Sequence, residues 1–108
     1  MVFDYSLGIY KENTAMKLND RLIHTLLCIM KQCEDSNILH RHSMDTLKMV
    51  QQKATQVISL GGMTSENGRA EIEILNKEFI KDNISPGGSA DLLAVTVFFN
   101  SVEIYMSS

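Results

Sequence analysis

The spacing of apolar residues predicts an all-α chain with four main helices. The first has apolar residues at three- and four-residue intervals on one face, and Asn13 or Thr14 as its N-cap. These apolar residues are Leu18, Leu22, Ile23, Leu26, Leu27 and Met30. Turn formers at 34–37 should end this helix, and residues 38–42 should form a short link. The pattern of residues 1–13 is too short to decide between an irregular arm and a short helix.

Two further amphipathic helices are predicted in the middle of the chain. Ser43 would cap the first, and the glycines at 61–62 would end it, because glycine adopts the left-handed backbone of a helix C-terminus without steric cost. Thr64 or Ser65 would cap the second, which should end at 81–83. Their apolar faces comprise Leu47, Val50, Ala54, Val57 and Ile58 in the first, and Ile72, Leu75 and Phe79 in the second.

The last predicted helix, from about Ser89 to near Tyr105, differs from the others because its apolar residues surround the whole circumference. They are Leu92, Leu93, Ala94, Val95, Val97, Phe98, Phe99, Val102 and Ile104. A helix that is apolar all round is buried on all sides, and three short amphipathic helices offer little surface to enclose it. We therefore expect a homodimer, or a missing N-terminal half of a longer protein, to cover this helix.

Composition narrows the class of protein. A chain of 108 residues is expected to form a single domain, 1–108, and its 44% apolar content excludes a wholly disordered chain. The net charge of -3 argues against a nucleic-acid partner, and the apolar run 92–99 is shorter than the ~20 residues that cross a bilayer. Cys28 and Cys33 fall on different faces of one helix, so we expect two reduced thiols. With no signal-peptide pattern at the N-terminus, a cytoplasmic location is expected.

The Pro-Gly-Gly turn within residues 85–91 is the strongest candidate for chemistry. Gly87 and Gly88 let backbone N–H groups converge at a helix N-terminus, which favours an anion. Ser89 could donate to a phosphate oxygen, and Asp91 could take a proton or hold hydrated Mg²⁺. A purely structural interpretation, in which Ser89 caps the helix and Asp91 only favours its dipole, explains the same residues. An anion site would have to be open to solvent or to a cleft.

Residues 83–94, Asn-Ile-Ser-Pro-Gly-Gly-Ser-Ala-Asp-Leu-Leu-Ala, closely resemble the C-terminal signature of the triphosphoribosyl-dephospho-coenzyme A synthases. Upstream, residues 26–30 and 34–41 resemble the Leu-Leu-x-x-Met and Asp-Thr-Asn-x-x-x-Arg segments of that family. The resemblance covers roughly residues 7–102 and only the C-terminal part of the longer family members. It breaks after Arg41, where the family usually has glycines and this chain has histidine and serine.

The resemblance implies an all-helical transferase that joins ATP to 3′-dephospho-coenzyme A and releases adenine. In the family, the product is the prosthetic-group precursor of citrate lyase, and related members serve malonate decarboxylase. The 2′-hydroxyl of dephospho-coenzyme A attacks C1′ of the ATP ribose, the triphosphate is retained, and Mg²⁺ is implied as its companion. Two alternatives stay open for this short chain. Either it is active alone, or it is a non-catalytic helical remnant that dimerises.

By the same resemblance, Asp91 is the first candidate for a catalytic carboxylate and for a Mg²⁺ ligand, and Asp35 is the second catalytic candidate. The residues expected to bind substrate are Ser85, Gly87, Gly88, Ser89, Asn37 and Arg41. The alternative is that Asp35 and Asn37 only mark a helix stop and that Arg41 is a solvated surface residue.

The three histidines are expected to have no metal-binding role. His40 and His42 flank Arg41 without a third ligand, which makes a metal site there improbable. His24 falls on the polar face of its helix, where we expect it to be exposed to solvent.

Overall fold

The computed structural model describes residues 2–85 and 87–107, and within these residues it contains six α-helices and no strand. They are α1 (Val2–Glu12), α2 (Leu18–Gln32), α3 (Ser36–Arg41), α4 (Met44–Ser59), α5 (Glu66–Lys81) and α6 (Gly87–Ser107), with a short 3₁₀ helix (Gly62–Thr64) between α4 and α5. The all-α class is confirmed, whereas the count of four helices omitted α1 and α3. Pro86 of the predicted turn lies outside the described residues. Among the described helices, none is both long and apolar enough to cross a membrane.

The predicted link at 38–42 is wrong, because Asp35 starts a helix there. Its carboxylate accepts hydrogen bonds from the backbone N–H groups of Asn37, at 3.0 Å, and Ile38, at 3.3 Å. An aspartate in this position satisfies the free N–H groups of a first turn, so α3 forms although it has only six residues.

Helix caps explain most of the other boundaries. Ser43 accepts from the N–H of Thr46, and Ser65 accepts from the N–H of Gly68, so both predicted N-caps are confirmed. The predicted start of α2 at Asn13 or Thr14 is wrong, since α2 begins after Lys17. Asn13 instead donates from Nδ2 to the carbonyl oxygen of Ile9 at the end of α1, at 2.7 Å.

The end of α5 turns the chain towards α6. Asn83 has a left-handed backbone with a φ of 56°. Its N–H donates to the carbonyl oxygen of Ile80, and the N–H of Ile84 donates to that of Phe79, at 3.3 and 2.9 Å. This Schellman arrangement brings Ile84 onto Phe79 in the core, as its hydrophobic contact requires.

The core lies where α2 packs against α4, with α5 packed on α4 and α6 packed on α1, α2 and α3. Its buried apolar residues come from α2 to α5 and from the segment before α6. They are Leu27, Met30, Ile38, Leu47, Val50, Ala54, Val57, Leu75, Phe79 and Ile84.

Helix α6 starts at Gly87, before the predicted Ser89, and those of its described side chains that are buried lie on one face. The buried line includes the polar residues Ser89, Thr96 and Asn100. The hydroxyl of Thr96 donates to the carbonyl oxygen of Leu92, at 2.9 Å, and lies 2.8 Å from the Ser6 hydroxyl on α1. The expectation of a helix that is apolar all round is therefore not confirmed.

Candidate functional site

The N-termini of α3 and α6 meet at the buried side chain of Asp35, which is 1% exposed. In addition to its two bonds within α3, this carboxylate accepts from the N–H of Gly88 at 3.1 Å and from the N–H of Ser89 at 2.9 Å. It also accepts from the Ser89 hydroxyl at 3.0 Å. Because both helix N-termini carry partial positive charge, one negative side chain stabilises the two ends together.

Glycine at 87 and 88 leaves room for the close approach of α3. A Cβ on Gly88 would lie 3.0 Å from Oδ1 of Asp35, and a Cβ on Gly87 would lie 3.2 Å from Nδ2 of Asn37. The same Nδ2 donates to the carbonyl oxygen of Ser85 at 2.7 Å. The two glycines and Asn37 therefore hold the segment before α6 against α3.

This arrangement already supplies the α6 N-terminus with an anion. The N–H groups of Gly88 and Ser89, and the Ser89 hydroxyl, all donate to Asp35. Ser89 is buried within α6 instead of capping it. A phosphate could use these three donors only by displacing Asp35, so any phosphate contact falls to groups nearer the surface.

An open hollow of about 510 Å³ lies beside Asp35. It is lined by Ser36, Asn37, His40, Gly87, Gly88 and Asp91. Asp91 is exposed at this hollow, and Ser85 is exposed on the preceding segment. Arg41 is exposed at the end of α3 and is not among the lining residues. The structure therefore brings together most of the predicted site, with Asp35 and Ser89 in the layer beneath it.

Sequence reasoning missed Ser36 and His40 as lining residues. Both lie in α3, whose helical repeat places positions 36, 37 and 40 on one side. The signal was present in the sequence, since Asp35 is a strong N-cap type and a helix starting after it gives this spacing.

The hollow offers one carboxylate for a metal ion, that of Asp91. Within residues 2–85 and 87–107, no three His, Cys, Asp or Glu side chains converge on a possible ion position. Mg²⁺ is commonly held by one or two carboxylates together with substrate phosphates. Asp91 fits that form of binding, in which the nucleotide brings most of the ligands.

The two cysteines add no nucleophile to the hollow. Both are free, with Cys28 buried and Cys33 partly buried. Burial is the main cause that raises the pKa of each thiol, so both stay protonated near neutral pH.

His24 is not the exposed residue that was predicted. It is half-buried on α2, and its Nδ1 accepts a hydrogen bond from the N–H of Met63 at 3.2 Å. Burial lowers the pKa of His24, which favours the neutral imidazole that this bond needs. His24 therefore fixes the segment between α4 and α5, away from the hollow.

Comparison with known proteins identifies the family to which this chain belongs. The profile of the ATP:dephospho-CoA triphosphoribosyl transferase family matches residues 1–108. A protein of Azotobacter vinelandii is 41% identical over 85 residues, which cover 79% of this chain and 29% of that protein. A protein of Salmonella typhi is 43% identical over 79 residues, covering 73% of this chain and 26% of its own length. One of Acinetobacter calcoaceticus is 36% identical over 105 residues, covering 94% and 36%.

All three relatives carry the name "2-(5''-triphosphoribosyl)-3'-dephosphocoenzyme-A synthase", qualified as probable. The chain spans about three-tenths of the length of the relatives from Azotobacter and Salmonella. No solved structure matches the chain.

Proposed function

Because the chain belongs to the ATP:dephospho-CoA triphosphoribosyl transferase family, we propose that it forms the C-terminal portion of such an enzyme and contributes to binding the triphosphate of ATP. The proposed reaction joins ATP to 3′-dephospho-coenzyme A and releases adenine. We place it in the cytoplasm, in the synthesis of the citrate lyase prosthetic group. The chain covers about three-tenths of the length of its relatives from Azotobacter and Salmonella. We therefore propose that catalysis takes place in the complete enzyme, to which this chain contributes.

The chemistry sets clear requirements for the site. The 2′-hydroxyl oxygen of dephospho-coenzyme A forms a bond to C1′ of the ATP ribose. The bond from C1′ to N9 of adenine breaks, and its electron pair leaves with adenine, while the hydroxyl proton passes to a base. Such glycosyl transfers have oxocarbenium-like transition states and need a base at the attacking hydroxyl. The negatively charged triphosphate that is retained needs positive or dipolar groups around it.

The observation that carries the proposal is the open hollow beside Asp35. Asp91, at its edge, is exposed and is suited to accept the hydroxyl proton or to hold Mg²⁺. A carboxylate facing a triphosphate would repel it unless a cation lay between them, which favours the Mg²⁺ role. Asn37 and His40 offer hydrogen-bonding groups beside it.

Asp35 acts in this proposal as a positioning residue. Its bonds to the N–H groups of Gly88 and Ser89 fix the first turn of α6, and with it the place of Asp91 relative to α3. Arg41 is exposed at the end of α3 and could reach a phosphate only outside the hollow.

The test is Asp91→Asn, which keeps the size of the side chain and removes its charge. The matched control is Asp45→Asn, because Asp45 is likewise an exposed aspartate near the start of a helix, in the first turn of α4. In the complete enzyme, adenine release from ATP and dephospho-coenzyme A is expected to fall by about 100-fold or more in Asp91→Asn, as for loss of a catalytic base. Thermal unfolding should be unchanged, and Asp45→Asn should behave as wild type. Wild-type adenine release in Asp91→Asn would remove this residue from the mechanism.

A second candidate function is a non-catalytic helical module that associates through α6. The exposed apolar residues on α6 favour an interaction of some kind. Adenine release separates the two candidates, since an interaction module would bind partners without any turnover by the assembled protein.

A further inference from the structure

Helix α6 exposes an apolar stripe along the side that faces away from this chain. The stripe consists of Val95, Phe98, Val102 and Met106, which are 44%, 64%, 40% and 77% exposed. Their spacing of three and four residues places them on one line of the helix. An exposed apolar patch of this kind is often functional.

The opposite side of α6 explains why the helix does not turn this stripe inward. Ser89 donates to Asp35, and Thr96 bonds to Leu92 and lies against Ser6. If α6 rotated about its axis, Ser89 would lose its bonds to Asp35 and Thr96 would move away from Ser6, and each lost partner is costly. These polar contacts hold α6 in the orientation in which the stripe is exposed.

A second copy of the chain, packed through this stripe alone, would bury too little surface. An aromatic side chain buries ~150–250 Å² in full, and the stripe has one aromatic residue and three smaller ones, all partly exposed. It therefore offers on the order of 500 Å² at most, whereas a stable interface takes ~800 Å² from each partner.

A second apolar surface is also left open. A groove of about 460 Å³ lies between α2 and α5 and ends at Ser85, and the rim residue Ile80 is 73% exposed. None of the residues that line this groove belongs to α6. The chain thus exposes more apolar surface than one helix pair can cover.

We propose that the stripe on α6 forms part of a larger contact with the remaining part of a triphosphoribosyl-dephosphocoenzyme-A synthase. The matched segment is only about three-tenths of the length of the relatives from Azotobacter and Salmonella. In those relatives, a much longer part of the polypeptide could cover this face. Since α6 also carries Asp91, this contact places the remaining part next to the hollow. The inference rests on family membership and not on the proposed catalytic role of Asp91.

The first experiment mixes this chain with the remaining part of the Azotobacter vinelandii synthase, from which the matching segment has been removed. Light scattering after gel filtration should show a one-to-one complex, and calorimetry should give its affinity. Phe98→Glu and Val102→Glu are expected to weaken it by about 30-fold or more, as for loss of a buried anchor. The matched control is Leu18→Glu, because Leu18 is 61% exposed on α2 and lies outside the stripe.

A second experiment tests the proposed contact if the remaining part of the synthase does not fold alone. This chain replaces the matching segment inside the Azotobacter synthase, and oxidation by hydroxyl radicals is measured by mass spectrometry. Oxidation of Met106 should fall several-fold relative to the isolated chain. Oxidation of Met44, which is 51% exposed on α4, should not change.

Three results would overturn the proposal. The first is a complex that forms equally well with Phe98→Glu and Val102→Glu. The second is a homodimer of this chain alone that these variants dissociate, since a second copy would then be the occupant. The third is equal oxidation of Met106 in the chimera and in the isolated chain. None of these results bears on the Asp91→Asn test, so the two proposals fail separately.

Discussion

Two corners of the molecule join helices in different ways. At the corner between α4 and α5, a Cβ on Gly68 would lie 2.0 Å from the carbonyl oxygen of Gly62, so backbone packs directly on backbone. At the corner between α3 and α6, a Cβ on Gly88 would lie 3.0 Å from a carboxylate oxygen of Asp35. The first corner depends on the absence of side chains, and the second on one charged side chain.

The difference shows where chemistry can be placed. At the first corner, the polar group of His24 is used to hold Met63, and the contact is tight. At the second corner, the buried carboxylate of Asp35 accepts the hydrogen bonds of the helix N-termini. Asp91 and His40 are therefore not needed to hold the helices together and can face the hollow. We therefore expect substitutions at the first corner to act on stability, and those at the rim of the second to act on ligands.

The largest expected effect is that of Gly68→Ala. A Cβ at 2.0 Å from backbone oxygen cannot be accommodated by a side-chain movement, so α5 would have to shift. We expect a loss of about 3 kcal/mol or more in the free energy of unfolding, at the upper end of overpacking effects. Urea unfolding followed by far-UV circular dichroism measures it.

The control for this prediction is Gly8→Ala. Apart from its chain neighbours and the backbone of its own helix, no atom of the described residues lies within 4 Å of a Cβ built on Gly8, in the middle of α1. This variant should raise the free energy of unfolding by up to about 1 kcal/mol through helix propensity alone. Equal stability of Gly68→Ala and wild type would show that the two glycine segments are not in contact.

Asp35→Asn is expected to have the next largest effect. The asparagine side chain has one carbonyl oxygen and an amide group that cannot accept, so it cannot replace a carboxylate that receives four backbone N–H groups and one hydroxyl. We expect a loss of about 2–3 kcal/mol, because hydrogen bonds to a charged group are lost and buried donors are left unpaired.

Amide hydrogen exchange measured by NMR should locate the effect of Asp35→Asn at the two helix starts. The amides of Gly88 and Ser89 should lose more protection than the amides in the middle of α4. Glu34→Gln is the matched control, since Glu34 is the exposed neighbouring acid and its loss should cost less than about 0.5 kcal/mol. Unchanged exchange at Gly88 and Ser89 would show that Asp35 does not hold α6.

The sequence predicted helices with long apolar faces well and the local role of polar residues less well. The faces of α2, α4 and α5 and the caps Ser43 and Ser65 follow from short-range spacing, which a single sequence displays. Helix α3 was missed because six residues show no periodicity, and its start depends on the choice of side chain at Asp35.

The sequence predicted which residues belong to the candidate site, but not which of them are buried and which are exposed. The motif placed Asp35 and Asp91 in one function, yet only the fold shows that Asp35 lies under the α6 N-terminus and Asp91 at the open hollow. The two regions are joined across more than fifty residues of chain, as by the bond from Ser89 to Asp35. Such a long-range pairing leaves no local pattern in one sequence. The same holds for His24, whose partner Met63 is 39 residues away in the chain.

The smallest expected effect concerns His24 and pH. Burial lowers its pKa below the ordinary value of 6.5, and its Nδ1 must stay unprotonated to accept from Met63. In the unfolded chain His24 binds a proton near pH 6.5, whereas in the folded chain it does so only at lower pH. The stability that it contributes is therefore fully present above about pH 6.5 and is lost as the pH falls through the folded-state pKa. The effect is small because His24 is only half-buried.

Thermal unfolding of wild type and His24→Gln, compared between about pH 7.5 and pH 5.5, measures this effect. The glutamine oxygen can accept from the N–H of Met63 and does not titrate, so the wild-type midpoint should fall more than that of the variant as the pH is lowered. His40→Gln is the control, because His40 is exposed on α3 and should leave the wild-type pH dependence unchanged. Parallel pH profiles for wild type and His24→Gln would mean that the corner between α4 and α5 does not depend on a neutral imidazole. The comparison of the two corners would then rest on the glycines alone.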